Sequence, residues 1–483
     1  MNATIVQLQP TQIWKNFERL NAVPRASKKE QQVIAFMRDF GTNLGLETLV
    51  DEVGNVLIRK PATQGREKRK AVILQGHLDM VHQKNNDTEF DFATQGIQSY
   101  VDGGWVKARG TTLGADNGIG VASMMAVLES KDIEHGPIEA LFTIDEETGL
   151  TGAAHLKPGW LRGEILLNTD TEEHGELCIG CAGGVDTIVT MDYPISKPTG
   201  DVALEIKVKG LKGGHSGCEI HLGRGNANKI LNRLLYLATK QFRVGVHRIE
   251  GGNLRNAIPR EASATLVVEK SRLAEFKQQL QALGESISSE LKRVEPDLLI
   301  SISDAKLPAD VMDFAAQQRL IRAIYAAPNA VFRMSDDVPG LVETSTSLAR
   351  VAVGGGKSQI EFLSRSSVDS GKDNIASAIE ATFELAGCEV KHVGGYPGWT
   401  PNADSMIVKL MRNVYEKMFR EEPKVMAVHA GLECGIIGNH YPKLDMISFG
   451  PTIRSPHSPD ERCEIESVQK YWRYLVEVLA NIP

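Results

Sequence analysis

The chain has 483 residues, of which 42% are hydrophobic and 24% are charged, and its formal net charge is −7. These proportions are ordinary for a globular protein and exclude a wholly disordered chain, a collagen and a coiled coil. Because the net charge is negative, nucleic acid and anionic membranes are not expected as main partners.

The N-terminus and the cysteine content predict a cytoplasmic protein. Residues 1–20 lack a basic segment followed by a long apolar one, so a secretory signal is not expected. The longest nearly apolar stretch, residues 118–128, is shorter than the roughly 20 residues that cross a membrane. Six cysteines in a chain of this length are too sparse for a disulfide framework.

The first third of the chain alternates between helical and extended patterns. Helices are predicted at 12–24, 28–44 and 118–130. Apolar runs predict strands at 71–76, 138–145 and 164–170, and two short strands around Asn55 within 48–60. Strands that alternate with helices predict an α/β layer with a mostly parallel sheet.

The middle of the chain has strands with alternating polarity, which predict an α+β region with one face of its sheet in water. The expected strands and helices are, in order, 202–210, 227–242, 264–270, 273–294, 298–304, 309–327, 344–353, 358–364, 374–387 and 388–393. After the Gly- and Pro-rich segment 394–402, the α/β style resumes with helix 405–419, strand 445–450 and a helix at 464–481. We therefore expect an α/β domain built from 1–187 and 397–483, interrupted by an inserted α+β domain at 188–396.

Several side chains with metal-binding chemistry lie at the predicted strand ends. His77 and Asp79 close the strand 71–76 and face the same side, so one can bind a metal while the other orients the imidazole. Asp116 lies in a Gly-rich turn before a buried helix, where it is either an N-cap or a carboxylate that bridges two cations.

Further acidic and histidine side chains follow the next strands. Glu146 and Glu147 come after strand 138–145, where they form either a solvated acidic turn or a metal ligand beside a general base. Asp170 ends strand 164–170, and His457 follows strand 445–450. Carboxyl ends of parallel strands meet at one edge, and such a set of nitrogen and oxygen donors suits two Zn²⁺-like ions.

The sequence resembles the M20 clan of metallopeptidases over nearly its whole length. Eight stretches carry the resemblance and occur in the family's order: LQGHLDMVHQKNNDT, WVKARGTTLGADNGIG, IDEETGLTGA, NTDTEEHGEL, GLKGGHSG, LRNAIPRE, HAGLECGI and GPTIRSPHSPDE. Each is weak by itself, but together and in order they are specific.

The resemblance implies a site with two zinc ions per chain, which Co²⁺ or Mn²⁺ could replace. Glu146 would be the general base, and Asp79 would orient a ligand. The peptide bond between Asp116 and Asn117 would be cis. The implied zinc ligands are His77, Asp116, Glu147, Asp170 and His457, with Asp116 bridging.

The resemblance also implies roles in the inserted domain, which would act as a lid and join two chains in a homodimer. His215 in GLKGGHSG matches a lid histidine that stabilises the oxyanion, often across the dimer. Asn256 matches a lid asparagine near the substrate, and Arg365 matches an arginine that binds the substrate's C-terminal carboxylate. Alternatively, His215 is simply a histidine in a Gly-rich turn, and Arg365 is an arginine on a surface strand. Glu433 could pair with the substrate's α-ammonium group.

The resemblance also implies a dipeptidase whose substrates include Xaa-His dipeptides such as β-alanyl-histidine. Another M20-type aminopeptidase, tripeptidase, carboxypeptidase or deacylase remains an alternative. A non-catalytic binding protein on the same fold is a second alternative, which the presence of His77, Glu146 and His457 disfavours.

Overall fold

The computed structural model describes residues 2–336 and 338–483. The chain forms two compact units. The first unit consists of the described residues up to Gly180 together with Pro401–Ala427 and Leu432–Pro483, and the second unit consists of Cys181–Thr400 and Val428–Gly431. The predicted fold class, an α/β catalytic-type domain interrupted by an α+β insertion, is confirmed.

Helices and strands are numbered in chain order. The helices are α1 Thr11–Asn21, α2 Gln31–Asn43, α3 Ala115–Glu129, α4 Glu146–Gly149, α5 Thr151–Ala154, α6 Ala227–Phe242, α7 Leu273–Leu291, α8 Phe314–Ala326, α9 Asp369–Glu384, α10 Met406–Phe419, α11 Glu433–His440 and α12 Ile465–Asn481. The strands are β1 Glu47–Val50, β2 Val56–Lys60, β3 Val72–His77, β4 Ser99–Asp102, β5 Trp105–Ala108, β6 Ile138–Thr143, β7 Ile165–Asn168, β8 Glu176–Cys181, β9 Gly183–Asp192, β10 Ile195–Ser196, β11 Val202–Lys209, β12 Gly245–Gly251, β13 Ala262–Val268, β14 Leu299–Asp304, β15 Val311–Met312, β16 Ala330–Met334, β17 Val342–Gly354, β18 Lys357–Ser366, β19 Glu389–Tyr396, β20 Lys424–Val428, β21 Asp445–Ser448, β22 Ile453–Arg454 and β23 Arg462–Glu464.

The first unit is built on an eight-stranded sheet in the order β1-β2-β6-β3-β7-β21-β8-β20. The four central strands β6, β3, β7 and β21 run parallel. The flanking pairs β1 with β2, β2 with β6 and β21 with β8 are antiparallel, so the parallel pairing predicted for this sheet occupies its centre. Every residue of β3 is buried, as is expected for a strand covered on both faces.

Helix α3 explains how the sheet of the first unit is covered. Its residues from Ala115 to Leu128 are all buried, and they are apolar on nearly every side. A helix that is apolar all round is stable only inside a core. Helices α1, α10 and α12 contribute apolar side chains to the same core, including Trp14, Met411 and Tyr471.

The second unit is an α+β structure with a separate core. Its main sheet has the order β14-β11-β13-β12-β17-β18-β9-β19, with β16 paired to β17. Helix α6 begins at an N-cap, because the Asn226 side chain accepts a hydrogen bond from the Lys229 N–H. Its buried side chains pack with those of α7 and α8 in one apolar cluster, including Leu234, Phe276 and Leu320.

No helix within residues 2–336 and 338–483 is both long enough and apolar enough to cross a membrane.

Candidate metal centre

The carboxyl ends of the parallel strands bring the predicted metal-binding side chains of the first unit together. His77 is the last residue of β3, and Asp116 lies in the first turn of α3, where its backbone is not helical. Asp116 is only 8% exposed and lies between two histidines. Its Oδ1 is 3.1 Å from His77 Nε2, and its Oδ2 is 3.1 Å from His457 Nε2. The Asp116–Asn117 peptide bond is cis.

Two groups of three donors share Asp116. One group is His77, Asp116 and Asp170, and the other is Asp116, Glu147 and His457, each with one ligand atom per residue within 4.8 Å of the others. His77 Nε2 lies 3.3 Å from Asp170 Oδ1. His457 Nε2 lies 3.0 Å from Glu147 Oε2. All five side chains predicted as zinc ligands are therefore close together.

Asp79 links the end of β3 to the turn that carries Glu146 and Glu147. Its Oδ1 accepts a hydrogen bond of 3.0 Å from the Glu146 N–H and lies 3.4 Å from His77 Nδ1. Its Oδ2 accepts from the Glu147 N–H at 3.3 Å and from the Ser27 hydroxyl at 2.8 Å. The Asp79 backbone carbonyl also lies 3.1 Å from His77 Nδ1, so Asp79 orients the imidazole through its carbonyl and its carboxylate, and the two glutamates through its carboxylate.

Glu146 stands beside the two donor groups. It forms a third cluster with His77 and Glu147. The preceding residue, Asp145, has a left-handed backbone with φ of 51°. The Asp145 carboxylate accepts hydrogen bonds from Lys28, Thr148 and Thr151, and these bonds stabilise the turn.

The pKa values of this cluster reflect an excess of buried negative charge. Burial raises the pKa of the Glu146, Glu147 and Asp170 carboxyl groups, and neighbouring carboxylates add to this. Hydrogen bonds to Asp116 and Glu147 raise the pKa of His457 to about 11. Burial and the nearby acids also raise the pKa of Glu172 to about 8. The two histidines therefore do not balance the charge of the acids around them.

The donor set fits divalent cations. A tetrahedral site with bonds of about 2.0 Å has edges of about 3.3 Å, close to the separations of 3.0–3.3 Å that join these donors. Glu147 Oε1 is buried without a hydrogen-bond partner among the described residues, and Asp170 Oδ1, also buried, has only the His77 ring at 3.3 Å. Burying a carboxylate oxygen costs free energy unless a cation or a hydrogen-bond donor lies against it. Imidazole and carboxylate donors suit Zn²⁺ and similar ions.

Glu433 lies in the same unit but is buried, with 1% of its surface exposed. Its Oε2 accepts hydrogen bonds from Gln75 Nε2 at 2.7 Å and from the Thr143 hydroxyl at 2.6 Å. Its Oε1 has no hydrogen-bond partner among the described residues. Burial raises the pKa of Glu433 to about 7. Only Oε1 is left for the substrate ammonium group suggested by the sequence.

His215 lies in a loop of the second unit with a defined tautomer. Its Nδ1 accepts hydrogen bonds from the backbone N–H groups of Gly217, at 3.1 Å, and Cys218, at 3.0 Å. Because an accepting nitrogen carries no hydrogen, the imidazole is neutral and its hydrogen is on Nε2. Burial, together with the positive charge of Arg365, lowers the pKa of His215, which favours the same neutral form.

Arg365 and His429 are buried in the second unit, so Arg365 is not a surface strand arginine. Arg365 Nη1 donates to the Tyr396 hydroxyl at 3.0 Å, while its Nε has no hydrogen-bond partner among the described residues. His429 Nε2 lies 2.7 Å from the Ser345 hydroxyl. Burial lowers the pKa of His429 to about 3, with a smaller contribution from Arg365.

Asn256 is exposed in the second unit, next to the loop of His215. Its backbone carbonyl accepts a hydrogen bond of 2.9 Å from the Ser216 N–H. An isolated β-bridge also joins His215 to Ala257. The two predicted lid residues are therefore neighbours within one unit.

Two buried charged residues of the first unit, Arg25 and Glu461, are not among the site residues predicted from the sequence. Glu461 is four residues after His457 in a stretch that carries the family resemblance, so its position was a usable signal. Arg25 offers no such signal, because a buried arginine is rare and its partners are mostly backbone carbonyls.

Known proteins are similar to this chain over nearly its whole length. Residues 73–481 match the family model described as "Peptidase family M20/M25/M40". The chain is 45% identical over 478 residues to the cytosol non-specific dipeptidase of Escherichia coli (strain K12), with 99% of each chain covered. It is 46% identical to the crystal structure of aminoacylhistidine dipeptidase from Vibrio alginolyticus, with a TM-score of 0.94 and coverage of 99% of this chain and 98% of that one. An aminopeptidase from Bacillus cereus shares only the fold, at 17% identity and a TM-score of 0.57, with 98% of this chain and 99% of that chain covered.

Proposed function

Because the chain belongs to peptidase family M20/M25/M40 and is therefore a peptide-bond hydrolase, we propose that it is a cytoplasmic dinuclear zinc dipeptidase. Its proposed substrates are dipeptides, notably Xaa-His dipeptides that include β-alanyl-histidine. The observation that carries the dinuclear site is the sharing of Asp116 by two donor triads. The names of the relatives from Escherichia coli and Vibrio alginolyticus support the substrate class.

Membership of this family implies a divalent metal cofactor. One ion would be held by His77, Asp116 and Asp170, and the other by Asp116, Glu147 and His457. When bound, such ions supply a Lewis acid for the scissile carbonyl and lower the pKa of the attacking water. Asp116 would offer a carboxylate oxygen to both groups of donors, and Asp79 would keep the His77 ring in place.

Glu146 is the proposed general base. Its side chain lies beside both donor triads but belongs to neither. Burial raises its pKa, which makes its carboxylate a better proton acceptor than an exposed glutamate. It would take a proton from water as the water attacks the carbonyl carbon, and then deliver that proton to the nitrogen of the leaving amine.

His215 is the proposed oxyanion donor. The two backbone N–H groups that bind its Nδ1 leave Nε2–H as the only ring donor. A neutral N–H donor suits this role because it stabilises developing negative charge without transferring a proton. Arg365, whose Nε has no hydrogen-bond partner among the described residues, would bind the dipeptide's terminal carboxylate in a charge-assisted pair.

Three further roles complete the proposal. Asn256 would contact the substrate from the loop beside His215. Glu433 Oε1 would face the substrate's ammonium group. The second unit would be the lid through which two chains form a homodimer, and His215 would act in the site of the partner chain.

A substrate panel tests this function. The wild-type protein, stripped of metal and reconstituted with Zn²⁺, is assayed on Xaa-His dipeptides, β-alanyl-histidine, histidine-free dipeptides, tripeptides and N-acetylated amino acids. Free dipeptides should be cleaved, Xaa-His among the best, and Glu146→Gln prepared in parallel should reveal any contaminating peptidase. Faster cleavage of tripeptides or of N-acetylated amino acids would instead identify a tripeptidase or a deacylase.

A further inference from the structure

The turn that carries Asp116 is bound by a single buried carboxylate. Glu461 is 2% exposed and accepts hydrogen bonds from four consecutive backbone N–H groups. Its Oε2 accepts from Leu113 at 2.7 Å and from Gly114 at 3.0 Å. Its Oε1 accepts from Ala115 at 2.7 Å and from Asp116 at 3.3 Å. Glu461 therefore binds the backbone of Asp116, while the Asp116 side chain contacts His77 and His457.

Arg25 holds the same turn from its carbonyl side. Arg25 Nη2 donates to the Gly114 carbonyl at 2.5 Å. Its Nη1 lies 3.2 Å from both the Leu78 and the Asp79 carbonyl oxygens. Gly114 has a φ of 68°, and a Cβ at this position would lie 2.4 Å from Arg25 Nη2. The turn of Asp116 and the strand end of His77 are thus tied to one guanidinium group.

Glu461 also connects two of the proposed metal ligands. It follows His457 by four residues in the same segment. That segment places His457 Nε2 3.1 Å from Asp116 Oδ2. A carboxylate that binds the Asp116 turn therefore also fixes the segment of His457 against it. Burying a carboxylate next to other acids is costly, and the four N–H donors together with the Arg25 cation offset part of that cost.

We propose that Glu461 is a positioning residue that sets the backbone of Asp116 and the segment of His457 at the spacing required for a bridging carboxylate. The inference rests on the proposed function, since the group positioned is the proposed metal ligand. Glu461 itself contacts neither substrate nor metal in this role. It acts through Asp116.

The test compares Glu461→Gln with Glu461→Asp and Asp460→Asn. A glutamine keeps the size but presents an NH₂ group to backbone N–H donors, so about two of the four hydrogen bonds are lost. Glu461→Asp keeps a carboxylate with all its acceptor lone pairs but shortens the side chain by one methylene. It should therefore retain part of the Zn²⁺ affinity that Glu461→Gln loses. Asp460→Asn removes a negative charge from the adjacent exposed residue and should behave like the wild type.

Two readouts are measured on the folded variants. The first is the dissociation constant for Zn²⁺ and the visible spectrum of the Co²⁺-loaded protein. We expect Glu461→Gln to bind the ions about 10–100-fold more weakly, as loss of a group that orients a ligand does, and to change the Co²⁺ spectrum. The second is amide hydrogen exchange of the metal-free protein, which should accelerate at residues 113–116 in Glu461→Gln and not in Asp460→Asn.

The outcomes separate this inference from the proposed function. A Glu461→Gln protein with wild-type ion affinity, Co²⁺ spectrum and exchange at 113–116 would overturn the inference, even if its unfolding free energy fell. A wild-type protein that binds no pair of ions, or cleaves no dipeptide, would overturn the proposed function. In that case the exchange readout alone decides the inference, with unchanged protection at 113–116 counting against it.

Discussion

Asp116 Oδ2 lies 3.1 Å from His457 Nε2, although 341 residues separate the two along the chain. Asp116 lies in the first turn of the buried helix α3, where its backbone is not helical, and His457 follows the last parallel strand of the sheet. Asp116 belongs to both groups of donors, whereas His457 belongs only to the group that it forms with Asp116 and Glu147. Replacing His457 should therefore affect one half of the proposed dinuclear site and not the other.

Replacing His457 should remove one ion and leave the other. In His457→Ala, the donors His77, Asp116 and Asp170 are intact, so zinc content should fall from about two ions to about one per chain. Activity should be lost with the second ion. His155→Ala, which removes an exposed histidine of the same unit, is the control and should keep both ions. Complete loss of metal in His457→Ala would mean that the two triads do not bind independently.

Glu146 and Glu147 are adjacent, but their substitutions should have different consequences. Glu146→Gln removes a proton acceptor while keeping shape, so activity should fall about 10²–10⁴-fold with zinc content nearly unchanged. Glu147→Gln should instead weaken zinc binding, because Glu147 Oε2 lies 3.0 Å from His457 Nε2 in the second triad. Metal analysis beside kinetics distinguishes the two. If Glu146→Gln were the variant that loses zinc, the two roles would have to be exchanged.

The apolar pattern of the sequence predicts the core elements well. The helix expected at 227–242 is α6 with the same ends, and the buried strand expected at 71–76 is β3, Val72–His77. These segments are specified by the burial of their own side chains, which a sequence records directly. The strand ends, and hence His77 and Asp170, could be located for that reason.

Elements and contacts determined by neighbours are harder to predict. Strands β8 and β20 and helix α11 were not predicted, because each is short and depends on flanking elements. Helix α9 begins at Asp369, five residues before the predicted start, because its first turn is polar. The position of Glu461 next to His457 is visible in the sequence, but its contacts are not, since its donors are backbone N–H groups. Residue types carry no signal for such donors.

His215 should act as a donor in the active site of the partner chain. Loss of one oxyanion donor typically costs about 10²–10³-fold in kcat, so His215→Ala should be nearly inactive while keeping metal and fold. Mixing His215→Ala with Glu146→Gln under subunit exchange should restore activity if His215 acts across the dimer. Random pairing gives half mixed dimers with one intact site of two, or up to about a quarter of wild-type activity. No recovery, with exchange demonstrated, would exclude action across the dimer.

His429 should make stability depend on pH. Its pKa is lowered to about 3 in the folded protein, whereas a free histidine titrates near pH 6.5. Between these values the unfolded chain binds a proton that the folded protein does not, so stability falls as pH falls. The contribution is fully present above about pH 6.5 and declines by up to about 1.4 kcal/mol per pH unit below it.

Denaturant unfolding at pH 7, 6 and 5 measures this effect. His429→Asn should lower stability at pH 7 through lost packing but reduce its decline toward pH 5. His221→Asn, at an exposed histidine of the same unit, should follow the slope of the wild type. Equal slopes for wild type and His429→Asn would show that His429 takes up a proton in the folded protein as readily as in the unfolded chain.

The number of divalent ions per active chain tests the dinuclear site most directly. Protein stripped of metal is titrated with Zn²⁺ while bound metal and dipeptide hydrolysis are measured on the same samples. Because two triads share Asp116, we expect activity to reach its maximum only near two ions per chain and to disappear with a chelator. Full activity with a single tightly bound ion would contradict the dinuclear site.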